Sequence, residues 1–384
     1  MWRHIASNAL TFLIVIVFLL GGMILWGKSQ YVAQGPLDQQ ICLRVESGSN
    51  VSRVSKTLEA EGAVSSGTIF RLGMDYGDLS AKLKAGSFLV PAGSSMSEIA
   101  QIVTRGGAST CGTEVVYRIG VTRSNVQVRT LDPATNRFVE MASFNPVEDS
   151  APDEFVTVRA QRDTRYRIAM AEGVTSWQVV DALKRVDVLE GEVATLPPEG
   201  MLAPDSYEVR VGDTRESLLK TMQEAQEVLL AAAWEGRDRD VPLTSPEEAL
   251  VLASIIEKET GVSAERRQVA SVFVNRLNKG MKLQTDPTVI YGITKGEGVL
   301  GRGLRQSELR KKTPYNTYVI AALPPGPIAN PGRASLEAAL NPDETDYIFF
   351  VADGTGGHAF AATLAEHNAN VKKWREIEAQ RANE

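Results

Sequence analysis

The stretch from Asn8 to Trp26 (NALTFLIVIVFLLGGMILW) carries no charge and limits what this chain can become more than any other feature. A helix of roughly 20 apolar residues is long enough to cross a bilayer. The remainder must then fold outside the membrane, tied to it by one end. A cleaved signal peptide would have a shorter apolar core and a small-x-small cleavage site. Here the run ends in Leu25-Trp26-Gly27-Lys28, and Trp26 suits an interfacial anchor. An uncleaved single span is the expectation. Arg3 and His4 precede it and Lys28 follows, so the positive-inside rule tips the amino terminus to the cytoplasm and the body to the envelope side.

With 384 residues, 43% hydrophobic and 23% charged, the chain exceeds one ordinary core and predicts two or three folded units. Its net charge of -6 and the lack of a Lys/Arg stripe with interleaved aromatics exclude a nucleic-acid binder. Cys42 and Cys111 are the two cysteines, an even number compatible with an oxidising compartment. They bracket one expected module and either staple it or stand as two free thiols.

The expected fold class is α+β throughout. Residues 1–28 form the cytoplasmic tip and transmembrane helix, and 29–40, with Gly35-Pro36, a linker. Residues 41–108 read as a small α+β module: strand ICLRVE, turn SGSN, helices VSRVSKTLEAEG and SGTIFRLGMDYG, strand AGSFLV, helix SMSEIAQIVTRGG. The first helix follows a Ser47/Asn50 cap and places Val51, Val54 and Leu58 at helical spacing. Residues 109–170 change to short β-branched runs (VVYRIGV, VQVRTL, FVEMASF, EFVTVRA, YRIAM) and predict a β-rich insertion. Beyond it, EGVTSWQVVDALKRV repeats the turn-then-helix logic of SMSEIAQIV, as a diverged second copy.

Residues 171–384 form the expected α+β catalytic domain. Ser245-Pro246-Glu247-Glu248 has the pattern of a capping box with proline at the first helical position, and Gly261 closes the helix that follows. A second helix runs from Ala264 to Gly280, and Asp286-Pro287 opens a third by an Asp cap. Pro/Gly-rich loops, helix SLEAALN, strand YIFFVA, turn DGTGGH and a last helix complete the domain.

In the helix after Pro246, Ala249, Leu252, Ala253 and Ile256 share one face, and Glu257 borders that stripe. A carboxyl against an apolar wall is raised in pKa, as a general acid near neutral pH requires. The alternative is a solvated helix end shared with Lys258 and Glu259.

The block ASIIEKETGVSAERRQVASVFVNRLNKGMKLQTDPTVIYGI (253–293) resembles the signature of the YceG-like endolytic transglycosylases. TPYNTYVIAALPPGPIANPGRASLEAALNP (313–342) and YIFFVADGTGGHAFAATLAEHN (347–368) resemble that family's further blocks in the same order. EGMLAPDSYEV (199–209) is similar to its EG-x-L-F-PDTY element, departing at Ala203 and Ser206, and 41–107 resembles its LysM-like domain.

The resemblance implies that Glu257 is catalytic and cuts the MurNAc-GlcNAc β-1,4 bond inside a peptidoglycan strand, leaving a 1,6-anhydroMurNAc end. One titrating carboxyl suffices for that chemistry. A muramidase would need two, and Glu259, Glu265 and Asp286 are candidates. Glu259 points about 200° around the helix from Glu257; Glu265 is expected to support the turn or Glu257, and Asp286 to cap its helix or support the site. Gln284, Tyr291, Tyr315, Asn316, Thr317, Tyr318 and His358 are the expected substrate-binding residues, since amides, hydroxyls and aromatic faces suit sugars. No HExxH, Cys-His, GxSxG or P-loop pattern occurs, so neither metal nor cofactor is expected. The resemblance places the enzyme in the inner membrane with its catalytic domain in the periplasm, beside peptidoglycan synthases, limiting nascent strands. A non-catalytic scaffold binding glycan or divisome partners is the rival reading.

Overall fold

The computed structural model describes residues 2–46, 48–105, 109–161 and 163–381, and only the backbone of residues 2–10. The side chains of Arg3 and His4, the Ser47 half of the expected cap, and the expected boundary at 108 lie outside the described residues. The chain divides into two compact units, one of residues 1–116, 127–144 and 150–166, the other of 117–126, 145–149 and 167–384. The division runs through the stretch 109–170, not along its edges.

In the first unit, α1 (Trp2–Val32) is long and apolar enough to cross a membrane over Thr11–Val32. It outruns the expected span, and residues 29–32 of the expected linker are its last turn. The rest of 29–40 is packed: Leu37 is buried, Gly35 N–H donates to Gly93 O (3.1 Å) and Gly93 N–H to Leu37 O (2.8 Å). An apolar side chain in a polar stretch draws the backbone onto the module.

The module itself is strand β1 (Ile41–Val45), helices α2 (Val51–Ala60) and α3 (Gly67–Tyr76), strand β2 (Gly86–Val90) and helix α4 (Met96–Thr104). Asn50 caps α2 by accepting from Arg53 N–H, and Val51, Val54 and Leu58 are buried. The strands pair antiparallel from Ile41↔Val90 to Val45↔Gly86. Leu43, Leu58, Phe70, Met74 and Ile99 fill the core. Cys42 and Cys111 form a disulfide, with Cα atoms 5.8 Å apart.

Strands β3 (Thr113–Ile119), β4 (Ser124–Asp132), β5 (Arg137–Phe144), β6 (Arg165–Met170) and β7 (Ser206–Val209) form one sheet in the order β5-β4-β3-β6-β7. The expected strand EFVTVRA is instead helix α5 (Asp153–Arg159). Its β-branched residues mislead; Pro152 at the cap, two acids in the first turn and buried Phe155 and Val158 at i,i+3 decide for helix.

The second unit continues with α6 (Ser176–Lys184), α7 (Arg215–Glu235), α8 (Pro246–Glu259), α9 (Arg266–Asn278), α10 (Asp286–Thr294), α11 (Gln306–Arg310), α12 (Arg333–Leu340), hairpin β8 (Phe349–Ala352) and β9 (His358–Ala361), and α13 (Leu364–Arg381). Helix α8 is not amphipathic as expected: Ala249 through Ile256 are buried on every side, in a core shared with α9 and α12. Ser245 caps it, but Glu248 turns its carboxylate to Thr244 N–H (2.6 Å) and not to Ser245, so the expected reciprocal box is half made. Thr260, in extended conformation, terminates α8 before Gly261. Helix α7, unread in the sequence, is capped by Thr214 and buries Leu218, Leu219, Met222, Gln226 and Leu230. The Gln226 amide donates to Gly200 O (3.0 Å) and Pro331 O (3.2 Å), holding two loops of the site.

Candidate active site

Helix α8 is anchored by its buried face, and its last turn presents Glu257. The side chain is 6% exposed. Oε2 accepts from Gly332 N–H (3.0 Å), the residue capping α12, and Oε1 lies 3.8 Å from Arg266 Nη2. The positive end of a helix and a guanidinium therefore face one carboxylate.

A second carboxylate shares both. Glu172 Oε2 is also 3.8 Å from Arg266 Nη2, so the nearest oxygens of Glu172 and Glu257 are at most twice that distance apart. A β-carbon on Gly332 would stand 1.7 Å from Glu172 Oε1, so only glycine admits this approach. Burial, then the charge of Glu257, push the Glu172 carboxyl up, with Arg266 opposing. Arg266 Nε is buried without a hydrogen-bond partner among the described residues.

The turn carrying Glu172 is fixed by Asn330, fully buried. Asn330 O accepts from Gly173 N–H (2.9 Å), its Nδ2 donates to Val174 O (2.9 Å), and its Oδ1 accepts from Leu202 N–H (2.9 Å). Lys258 Nζ donates to Gly173 O (3.1 Å); burial lowers its pKa against the pull of Glu257 and Glu199. Glu199 accepts from Ser176 N–H (2.8 Å) and Tyr291 O–H (3.2 Å), and burial raises its carboxyl. Tyr291 and Tyr315 pack with ring centroids 5.0 Å apart. Thus Glu257, Glu172, Arg266, Lys258, Glu199 and the two tyrosines form one connected group.

The remaining expected residues gather around Glu259, in the same last turn of α8. Burial raises Glu259, which accepts from Thr285 Oγ1, as the 200° rotation from Glu257 implies. Glu265 faces the β8–β9 hairpin. Its carboxylate takes the His358 backbone N–H (2.8 Å) and pairs with His358 Nδ1 (2.9 Å), tying the β8–β9 hairpin to the start of α9. Asp286 is not the cap of α10, because Thr285 holds that position; Asp286 accepts from Tyr318 O–H instead (2.6 Å). Asn316 and Thr317 are wholly buried. Asn316 Nδ2 donates to the carbonyls of Glu308, Leu309 and Lys311, and Thr317 Oγ1 bonds Thr285 N–H (3.0 Å) and Thr288. They brace the loop that carries Tyr315 and Tyr318. Gln284 is exposed, at φ 51°, left-handed backbone that a non-glycine residue seldom adopts. Among the described residues no three His, Cys, Asp or Glu side chains gather as a metal-ligand set.

Sequence reasoning missed Glu172, Arg266, Lys258 and Glu199 as site residues. Glu172 and Glu199 were within quoted motifs, each before a glycine with positive φ, Gly173 at 77° and Gly200 at 83°. A carboxylate before such a turn is the signal that was available.

A Bacillus subtilis (strain 168) protein named endolytic murein transglycosylase is 31% identical over 93% of this chain and 91% of its own length. A Streptococcus pneumoniae protein of the same name is 27% identical over 96% of this chain, which spans 65% of that longer relative. A crystal structure of a YceG-like protein from Listeria monocytogenes aligns over 86% of this chain and 99% of its own, at 26% identity and a TM-score of 0.46. The sequence model of the YceG-like family matches residues 43–373, and this chain belongs to that family.

Proposed function

We propose that this protein is an endolytic murein transglycosylase, with Glu257 as its catalytic acid and base. The observation that carries the reading is the Glu257 carboxylate, held by Gly332 N–H beside Arg266 within the stretch 43–373 that the family model matches. In the step proposed, Glu257 gives its proton to the glycosidic oxygen as the bond from C1 of MurNAc breaks. The C6 hydroxyl oxygen bonds to C1, and its proton passes to the Glu257 carboxylate. The product strand ends in 1,6-anhydroMurNAc, no water is consumed, and the enzyme is restored. Tyr291 and Tyr315 offer ring faces to the sugars, and Gln284, Tyr318 and His358 polar edges.

The β-α-α-β order of 41–104, with β1 and β2 paired antiparallel, supports a LysM-like module at 41–108. Domains 1–28, 29–40, 109–170 and 171–384 then serve as anchor, connection, β-rich stretch and catalytic domain. We place the anchor in the inner membrane with the catalytic domain in the periplasm, where peptidoglycan synthases release the strands it shortens.

A muramidase reading is favoured by one observation, a second carboxylate, Glu172, beside the same Arg266 Nη2 as Glu257, since a hydrolase needs two. To test cleavage itself, full-length protein in detergent is mixed with dye-labelled murein and release of soluble dye is followed. Wild type is expected to release it and Glu257→Gln to bind without release. Release by neither, from folded protein, would support the scaffold instead.

A further inference from the structure

A hollow of about 260 Å³ lies within the second unit, between the 117–126 and 145–148 stretches and α6. It falls just under the roughly 300 Å³ at which small-ligand sites begin, the size for one part of a larger ligand. Its floor is apolar, with Ile119, Val126 and Val186 each 2% exposed. The wall at Val121 adjoins the catalytic carboxylate: a β-carbon built on Gly173 would meet Glu257 Cγ at 3.6 Å and Val121 Cγ2 at 3.7 Å. Gln178 Nε2 donates to Val121 O (3.0 Å) and fixes that turn to α6.

The charges at the rim are uneven. Arg185 is matched to Asp181 one helical turn away. Arg123 and Glu148, both exposed and both lining the hollow, have side chains with no hydrogen-bond or ion-pair partner among the described residues. An unmatched guanidinium and an unmatched carboxylate around an apolar floor suit a ligand carrying both signs. The sugars of a murein strand offer hydroxyls and acetamides. Its short stem peptides carry free carboxylates and, at their diamino acid, an amine.

We infer that this hollow seats the stem peptide of the strand being cut, with Arg123 anchoring a peptide carboxylate. The inference rests on the murein-cutting reading and gives that site a second ligand. It also gives the stretch 109–170 a role, because two of its loops line the hollow and one of them reaches toward Glu257 at Val121.

The test compares full-length wild type, Arg123→Gln, Glu148→Gln and Glu257→Gln on peptide-bearing strands and on strands stripped of peptide by an amidase. Arg123→Gln is expected to lose about tenfold in kcat/KM on peptide-bearing strands, the size of one charge-assisted contact, and nothing on stripped ones. Glu148→Gln is expected to lose less, on the same substrate. Wild type that cannot cut stripped strands at all would support the inference equally. It is overturned if Arg123→Gln matches wild type on peptide-bearing strands, or slows equally on both. Cleavage by Glu257→Gln would instead overturn the catalytic assignment and leave the Arg123 comparison readable.

Discussion

Two stretches of this chain have one local design and different uses. In β2–turn–α4, Gly93 turns at φ 70° and Ser95 makes a capping box with Glu98; in β6–turn–α6, Gly173 turns at φ 77° and Thr175 makes one with Gln178. Both bury the helix face that follows. The first turn carries Ala92 before its glycine, and the glycine N–H donates to Leu37 O. The second carries Glu172, and its glycine N–H donates to Asn330 O beside Gly332. Turn and cap fix the shape, while one residue and one acceptor decide whether that shape packs a connection or supports a reaction.

The sharpest break in that comparison is at the differing residue. Glu172→Ala is expected to lower the rate of cleavage about a hundredfold, as a displaced catalytic group does, with the melting temperature nearly unchanged. Ala92→Glu, its mirror in the first turn, should leave the rate alone. A rate unaffected by Glu172→Ala would reduce the two turns to equivalent scaffolding.

A change comparable in free energy, but on stability, is expected from opening the Cys42–Cys111 bridge. Its sequence separation of 69 residues predicts a loss of about 2 to 4 kcal/mol in denaturant unfolding of the first unit. Cleavage, which the proposal assigns to Glu257 of the second unit, should persist.

Smaller effects follow at the caps. Ser95→Ala and Thr175→Ala should each cost about 1 kcal/mol. Only Thr175→Ala should also slow cleavage, because Thr175 Oγ1 donates to Gly296 O (2.6 Å) within the site.

The smallest effect is a pH dependence at Glu259, in the second unit. Burial raises Glu259 above its ordinary 4.5, so the folded state holds a proton the unfolded state has released. Its contribution is present below 4.5 and is lost as pH rises through the raised value. Glu259→Gln should flatten the melting temperature over that interval; an unchanged slope would contradict it.

Much of this was legible in local sequence. Asn8–Trp26, the Asn50 cap, the repeated turn and the helix after Pro246 all follow from composition and spacing of neighbouring residues. What stayed hidden depends on partners far along the chain. Nothing near Glu172 announces Arg266 or Gly332, and nothing near Asn316 announces that its amide donates to the carbonyls of Glu308, Leu309 and Lys311. Propensity also failed at residues 154–160, where β-branched residues sit in a helix because Phe155 and Val158 meet the core at helical spacing.

The central claim is that Glu257 alone moves the proton and that the sugar's own C6 hydroxyl closes the bond. Purified glycan strands treated with full-length wild type and with Glu257→Gln, then weighed by mass spectrometry, test it most directly. The account predicts 1,6-anhydroMurNAc ends from wild type and intact strands from Glu257→Gln. Ends heavier by one water, or cleavage by Glu257→Gln, would contradict it.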